Sequence, residues 1–386
     1  MARRSVALLI ESSNAYARGL LQGIIDYQHQ HDAWSIFFPE QERGATPPKW
    51  IRNWHGDGVI ARIETDEIAR VVRRIGIPVV DVSAARRIEQ IPWVETDDAK
   101  VAQLAAEHLI ERGFRNFAFC GEPNFNWSLW RSQAFVAALR SRGLDCNVFE
   151  LPARKSGSHS WLQEKRFLAK WIQLLPKPTG LMASYDIRAR QVLDICRDLE
   201  IAVPDDVAII GVDNDPIVCN LACPSLTSII PDAVGAGYRA AELLERMMNG
   251  DRMNQESHLL PPLGIATRQS TDIFAVDDED ICLAAKFIRD HACSGITVVD
   301  ILREIPLSRR VFENRFHKAT GRTPHEAILS QRMRRVEQLL RESDMSLEAI
   351  AARTGFEHPE YMNVVFRKQF QLPPGRYRNQ IRNRST

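Results

Sequence analysis

The stretch IAARTGFEHPEYMNVVFRKQFQLPPGRYR, Ile350 to Arg378, decides how the last third of this 386-residue chain folds. Ser346 is placed to cap a short helix over Leu347–Arg353, Gly355 makes the turn after it, and Pro359 opens a second helix that runs to Phe370. A proline in the first helical turn costs little, because the N–H it lacks has no partner there in any case. Met362, Val365 and Phe366 fall on one face of that second helix at one-turn spacing and are expected to point inward, leaving Glu360, Asn363 and Arg367 outside.

Upstream the same plan recurs. Val298–Glu304 reads as a short helix, Pro306–Leu307 as a turn, and Ser308 as the cap of a helix running through Lys318. Val311, Phe312 and Phe316 are expected to face the bundle, and Arg309, Arg310, Glu313 and Asn314 the solvent. Between the halves, Pro324–Ser343 reads as one long helix carrying Arg332, Arg334, Arg335 and Arg341. From Ile281 onward the chain has 19 Lys+Arg against 11 Asp+Glu, whereas the first 280 residues have 31 against 38. A charge balance of +8 behind a body of −7 puts the polyanion partner at the C-terminal end.

These C-terminal motifs resemble the AraC/XylS family of DNA-binding domains over about 100 residues. The match runs through Phe312-(x3)-Phe316, Gly321–Pro324, Ile350–Phe356, Tyr361-(x4)-Phe366–Phe370 and Pro373–Arg378. The resemblance implies two helix-turn-helix motifs whose second helices enter successive major grooves of double-stranded promoter DNA. An exposed helix fits that groove, its side chains reading base edges while flanking cations hold phosphates. By position, the readers would be Arg309, Arg310, Glu313 and Asn314 in the first motif and His358, Glu360, Tyr361, Asn363 and Arg367 in the second. Arg310 suits a bidentate contact with guanine, and Asn314 or Asn363 with adenine. Many family members carry Arg where this chain has Asn314, which leaves that contact open; for any single position the alternative is a solvated surface side chain.

The first 268 residues alternate short apolar runs with amphipathic helical patterns. Strands are expected at Ser5–Ile10, Trp34–Phe38, Gly58–Ile60, Pro78–Val82, Phe117–Cys120, Gly180–Ala183 and Val207–Gly211. Such alternation argues for an α/β fold of parallel sheets covered on both faces. Three passages, near Trp93–Thr96, Thr227–Asp232 and Pro261–Gly264, would carry the chain between two lobes. One lobe would comprise about 1–96 and 232–261, the other about 97–231 and 262–268. Residues 269–280 read as a linker, and 281–386 as the all-α DNA-binding domain.

In two-lobed α/β domains a ligand sits where strand ends and helix starts converge, so the loops there are informative. They hold Ser12, Asn14 and Tyr16; Asp81; Trp127, Trp130 and Arg131; Tyr185 and Asp186; and Asp213 and Asn214. Arg131 with Phe135, the Tyr185-Asp186 pair and Gly211-(x)-Asp213-Asn214 resemble LacI-type effector domains and their relatives, the periplasmic-binding-protein-like sugar receptors. LacI-type repressors begin with a DNA-binding headpiece, whereas this chain starts at the first sensor strand. Aromatic faces suit the C–H face of a sugar, and Asp, Asn and Arg suit its hydroxyls. Each residue has a plainer reading. Asp186 equally suits capping the next helix, Trp130 an ordinary core position, and Arg131 a pairing with a neighbouring carboxylate.

The double resemblance implies a cytoplasmic, sugar-responsive regulator, an activator of pentose catabolism genes with D-xylose as effector. It would act as a homodimer and work with RNA polymerase. A purine, a polyol or a phosphorylated sugar are the alternative effectors, and a transport binding protein the alternative class. No cofactor and no metal are expected: the seven cysteines are scattered, without a CxxC pair, and Cys219 and Cys223 are the closest two. The apolar run Val6–Ile10 stops at Glu11, too short for an export signal, and no uncharged stretch is long enough to cross a membrane. Catalysis is not expected, since GxSxG, GxxxxGK[ST] and HExxH are absent and Gly19–Gly23 lacks the spacing of a dinucleotide loop.

Overall fold

The computed structural model describes residues 3–31, 34–40, 46–122, 124–151, 160–251, 257–273 and 278–382. The chain forms two compact units, Met1–Asp272 and Ile273–Thr386.

The first unit contains two six-stranded sheets. Its chain runs β1 (Ser5–Leu9), α1 (Ala15–Gln30), β2 (Ser35–Phe37), β3 (Gly58–Ala61), α2 (Asp66–Val72), β4 (Val79–Asp81) and β5 (Trp93–Thr96) in the first lobe. The second lobe follows with α3 (Asp98–Glu111), β6 (Asn116–Cys120), α4 (Asn126–Arg140), β7 (Cys146–Val148), α5 (Trp161–Leu174), β8 (Thr179–Ala183), α6 (Asp186–Asp198), β9 (Val207–Val212), α7 (Pro216–Leu221) and β10 (Thr227–Ile230). Then α8 (Ala233–Met248) and β11 (Ser257–Leu260) return to the first lobe, and β12 (Gly264–Ala266) closes the second. The sheet orders are β11-β5-β4-β3-β1-β2 and β12-β10-β9-β8-β6-β7. All pairs are parallel except β10 with β12, an antiparallel edge that the strand–helix alternation did not foretell. The passages near Trp93, Thr227 and Pro261 themselves border or contain strands: β5, β10, β11 and β12 sit on either side of the crossings.

Apolar side chains fill both faces of each sheet. Val6, Leu8, Ile60, Val80 and Val94 meet α1 and α8 on one face of the first, while Ala7, Val59 and Val79 meet α2 on the other. The glycines of α1 serve this packing and not a nucleotide. A Cβ on Gly23 would lie 2.0 Å from the Val234 carbonyl oxygen, and one on Gly237 2.0 Å from that of Leu20, so α1 and α8 touch backbone to backbone. That contact fixes the N-terminus of α1, where Asn14 and Tyr16 stand.

The second unit is helical throughout its described residues: α9 (Glu279–His291), α10 (Val298–Glu304), α11 (Arg309–Thr320), α12 (Pro324–Glu342), α13 (Leu347–Arg353), α14 (Pro359–Phe370) and α15 (Pro374–Arg382). The linker expected over 269–280 is shorter at both ends. Gln269–Thr271 is a 3-10 turn with Ser270 and Thr271 buried, tied down because the Ser270 hydroxyl donates to the Ile209 carbonyl (2.6 Å) and accepts from the Thr227 N–H (2.8 Å). At the other end Asp278 caps α9, which begins at Glu279. Residues 274–277 of that span lie outside the described residues. Two small cores stabilise the unit. One gathers Ile288, Ile301, Phe312, Phe316 and Ile328; the other gathers Val336, Leu340, Ile350, Met362 and Phe366, with α12 contributing to both.

Candidate ligand cleft and nucleic-acid interface

A cavity opens between the two lobes of the first unit, lined by Asn14, Tyr16, Arg62, Val82, Ala84, Glu95, Thr96, Asp98, Trp127, Arg131, Tyr185 and Asp213. The α1 N-terminus supplies the first two. Asn14 caps the helix by accepting from the Ala17 N–H (2.8 Å) and spends its own N–H on Glu11 (2.8 Å). The Tyr16 hydroxyl accepts from Thr96 (3.3 Å), and burial pushes its phenol up to about 12.

Each lobe brings one guanidinium. Arg62 follows β3 and is held by Glu11 and by Glu64 (2.5 Å). Arg131, on the first turns of α4, donates from Nε to Asp98 (2.6 Å) and from Nη1 to the Ser184 carbonyl (2.6 Å), with its carbon 5.1 Å from the Trp127 ring centroid. Burial alone favours loss of the proton from both guanidiniums. The carboxylates beside them outweigh it: Glu64 and Glu11 raise Arg62, and Asp98 raises Arg131. Burial in turn lifts the Asp98 carboxyl above its ordinary range against the pull of Arg131. Glu95 is 3% exposed, and burial carries its carboxyl up to about 8 although Arg86 bonds it at 2.8 Å. Its Oε2 has no hydrogen-bond partner among the described residues, so one buried polar oxygen at the cavity wall is unspent. Asp213 closes the polar wall at φ 105, a left-handed conformation that a non-glycine residue keeps only when its surroundings hold it.

Of the residues expected from sequence, Asn14, Tyr16, Trp127, Arg131, Tyr185 and Asp213 line this cavity; five others do not. Asp81 is 1% exposed and ties the β4 turn, its Oδ1 accepting from the N–H groups of Ser83 (2.9 Å) and Ile63 (3.2 Å). Asp186 is consumed by the Ser228 hydroxyl (2.6 Å), the Asp215 N–H (2.8 Å) and the Cys219 thiol (3.3 Å). Asn214 accepts from Arg268 (2.7 Å), and Ser12 is exposed with its carbonyl taken by Arg18. Trp130 stacks on Arg86 at 4.4 Å, opposite Trp93 at 3.9 Å on the same guanidinium. Sequence reasoning missed Arg62, Glu95, Thr96 and Asp98 as lining residues. Arg62 stands just past a strand C-terminus, the signal that selected Asp81, and Asp98 is the first residue of α3, just past the end of β5.

Two further contacts join the lobes at the cleft's margin: Arg18 with Asp215 (2.8 Å) and the Asn126 amide with the Ala85 carbonyl (3.2 Å).

In the second unit, α11 and α14 each bury an i, i+4 pair, Phe312 with Phe316 and Met362 with Phe366, all at most 2% exposed. Arg309, Arg310 and Asn314 are exposed on α11, with Glu313 half-buried and bonded to Arg309 (2.9 Å). His358, Glu360, Tyr361 and Arg367 are exposed at and along α14. Two expectations are corrected. Val311 is 44% exposed, because it lies about a third of a turn from the middle of the buried pair. Asn363 is half-buried with its Oδ1 inside, because it follows Met362 on the edge of the apolar stripe. Nor are all the arginines of α12 outward cations. Arg332 donates to the carbonyls of Ala292 (2.8 Å) and Ile296 (2.9 Å), and Arg341 to Glu337 and the Tyr377 hydroxyl. These two brace the bundle. Gly355, at φ 74, abuts the first half so closely that a Cβ would lie 2.8 Å from the Gly295 nitrogen.

Three family models match the chain: an XylR N-terminal domain over residues 5–99, a periplasmic binding protein-like domain over 106–271 and a helix-turn-helix domain over 301–380. The chain is 31% identical to the xylose operon regulatory protein of Escherichia coli (strain K12), covering 98% of this chain and 97% of that one. It is 30% identical to the protein of the same description from Haemophilus influenzae, with 97% of each covered. A solved structure of a xylose-binding transcription activator matches with a TM-score of 0.76 at 30% identity, over 98% of both chains.

Proposed function

The chain belongs to the xylose operon regulatory protein family, DNA-binding transcription regulators with a sugar-sensing domain, and from that membership we propose that its cleft takes a pentose, D-xylose, as effector. The observation that carries this reading is the charge balance of the cleft. Two guanidiniums face inward, and Glu11, Glu64, Asp98 and Asp213 stand on or beside them. Paired in this way the guanidiniums offer directional N–H groups without surplus positive charge, and the free edge of Glu95 offers a further hydrogen-bonding group to a hydroxyl. That set suits neutral hydroxyls, while Trp127, Val82 and Ala84 suit the C–H face of a sugar ring. A phosphorylated sugar would need net positive charge or an uncompensated helix N-terminus, and the paired arginines argue against it.

Ligand bound between the lobes stabilises their closed arrangement by its differential affinity for that state. In a homodimer, closure re-spaces two protomers and thereby four reading helices against paired half-sites, where the regulator works with RNA polymerase in the cytoplasm to activate pentose genes. Arg310, exposed on α11, suits guanine by its chemistry, and Glu360, exposed on α14, suits the amino group of cytosine. Calorimetry of the full chain against D-xylose, other pentoses, polyols, purines and sugar phosphates tests the sensor half. Saturable D-xylose binding that a phosphate ester cannot match is expected; tighter binding of the ester or of a purine overturns the effector assignment.

A further inference from the structure

Val364 stands at a place in the second helix-turn-helix motif that folding does not explain. At about 100° per residue, a side chain midway between an inward i, i+4 pair points directly away from it. Met362 and Phe366 are such a pair, both fully buried, and Val364 lies between them at 65% exposed. Glu360, one turn before it, and Arg367 and Lys368, about one turn after it, are exposed on the same face. The corresponding place in α11, midway between Phe312 and Phe316, is held by Asn314, also exposed. The two motifs therefore present different chemistry at the centre of otherwise similar outward faces, an amide in one and a branched hydrocarbon in the other. A β-branched residue there is worse for the helix than Ala, Lys or Glu, and Val364 leaves most of its surface in solvent.

Resting on the reading that α14 enters the major groove, we propose that Val364 is a specificity-determining residue that packs on the C5-methyl group of a thymine in the half-site of the second motif. The methyl is the one apolar feature that base edges offer in that groove. Asn314 at the equivalent place has hydrogen bonds to give instead, so the first motif is not expected to share this preference.

A random duplex library selected with the full-length protein supplies the probe. The best duplex is then synthesised with each thymine replaced in turn by uracil, which removes only the methyl group. At one thymine in the second motif's half-site, uracil is expected to weaken wild-type binding about fourfold, the ratio equivalent to the ~0.8 kcal/mol of one buried methyl group. Val364→Ala, an exposed change toward better helix propensity, is expected to bind the thymine duplex about as weakly and to lose all discrimination between thymine and uracil at that position. The inference fails if no thymine in that half-site is sensitive, or if Val364→Ala keeps the wild-type preference for thymine. It fails equally if the variant binds the duplex normally but activates poorly, which would make Val364 a protein contact. Enrichment of no duplex at all would instead bring down the DNA-reading account on which this one rests.

Discussion

Asp186 stands in the first turn of α6 and Glu326 in the first turn of α12, yet the two carboxyls are held in opposite directions. Burial pushes Asp186 up to about 8, Asp213 adding to it and the Ser228 and Asp215 hydrogen bonds only partly offsetting it. Hydrogen bonds from the Thr323 N–H and hydroxyl hold Glu326 below the usual carboxylate range. The pattern extends across the units. Asp81 and Glu95 of the sensor are carried by burial to about 7 and about 8, whereas Asp300 of the helical unit is lowered by Thr297 in the capping box of α10. Asp81, Glu95 and Asp186 are buried in the turns and cleft wall of the sensor, whereas Asp300 and Glu326 are solvent-accessible partners in capping boxes of the helical unit. Ligand selectivity needs the first arrangement, since a dry polar group discriminates, and a groove-reading surface needs the second, since its polar groups stay in water until DNA arrives.

The largest effect that sharpens this contrast comes from Arg131→Ala. It leaves Asp98 buried without its cation, a loss of about 3–5 kcal/mol in comparable buried pairs. Thermal unfolding of the full chain is expected to show an early sensor transition, and calorimetry no D-xylose binding. The matching change in the other unit, Arg309→Ala, removes an exposed pair with Glu313 and should move stability by less than about 1 kcal/mol. Equal losses from the two would erase the distinction.

The acids predict opposite responses to pH. A raised carboxyl contributes stability while it keeps its proton, so what Asp81, Glu95 and Asp186 contribute is present at acid pH and lost as pH rises through about 7 to about 8. A lowered carboxyl contributes above its ordinary range and loses that as pH falls, which is the case for Asp300 and Glu326. Hydrogen exchange corrected for its intrinsic pH dependence should show sensor protection declining between about pH 5 and 8 while the capped helices hold steady. Parallel declines in both units would contradict the assignment.

Arg310→Ala is expected to relax discrimination at one base position by about 1–3 kcal/mol, seen as a flattened column when selected sites are compared with those of the wild type. The smallest expected effect belongs to the bridge across the cleft's margin. Arg18→Ala removes a half-exposed partner of Asp215 and should weaken effector binding by no more than about fivefold, within the ~1 kcal/mol range of such pairs. A larger loss would give the margin a share of selectivity assigned here to the cleft wall.

The same contrast explains what could be read from the sequence. In the helical unit Ser346, Gly355, Pro359 and the apolar stripes mark elements by local rules, and an outward face is whatever the stripe leaves over. Only flanking positions went astray: Val311 and Asn363 border the stripe, where a fraction of a turn decides the outcome. In the sensor, strand ends pointed to the right loops but not to the right side chains. Asp81, Asp186 and Asp213 look alike in sequence, yet backbone N–H groups hold Oδ1 of the first, a hydroxyl and a backbone N–H take both oxygens of the second, and only Asp213 lines the cavity. Arg62 and Glu95 enter the cleft through partners distant along the chain or across a turn, which no local pattern encodes.

Closure of the cleft and the reading of DNA are expected to be linked in this protein. The most direct test of that link is the affinity of the full-length protein for a promoter duplex at fixed salt, measured by fluorescence anisotropy with and without saturating D-xylose. Saturable coupling is predicted, about 5- to 150-fold in the dissociation constant, and absent in Arg131→Ala. D-xylose that calorimetry shows to be bound while duplex affinity stays unchanged would contradict it.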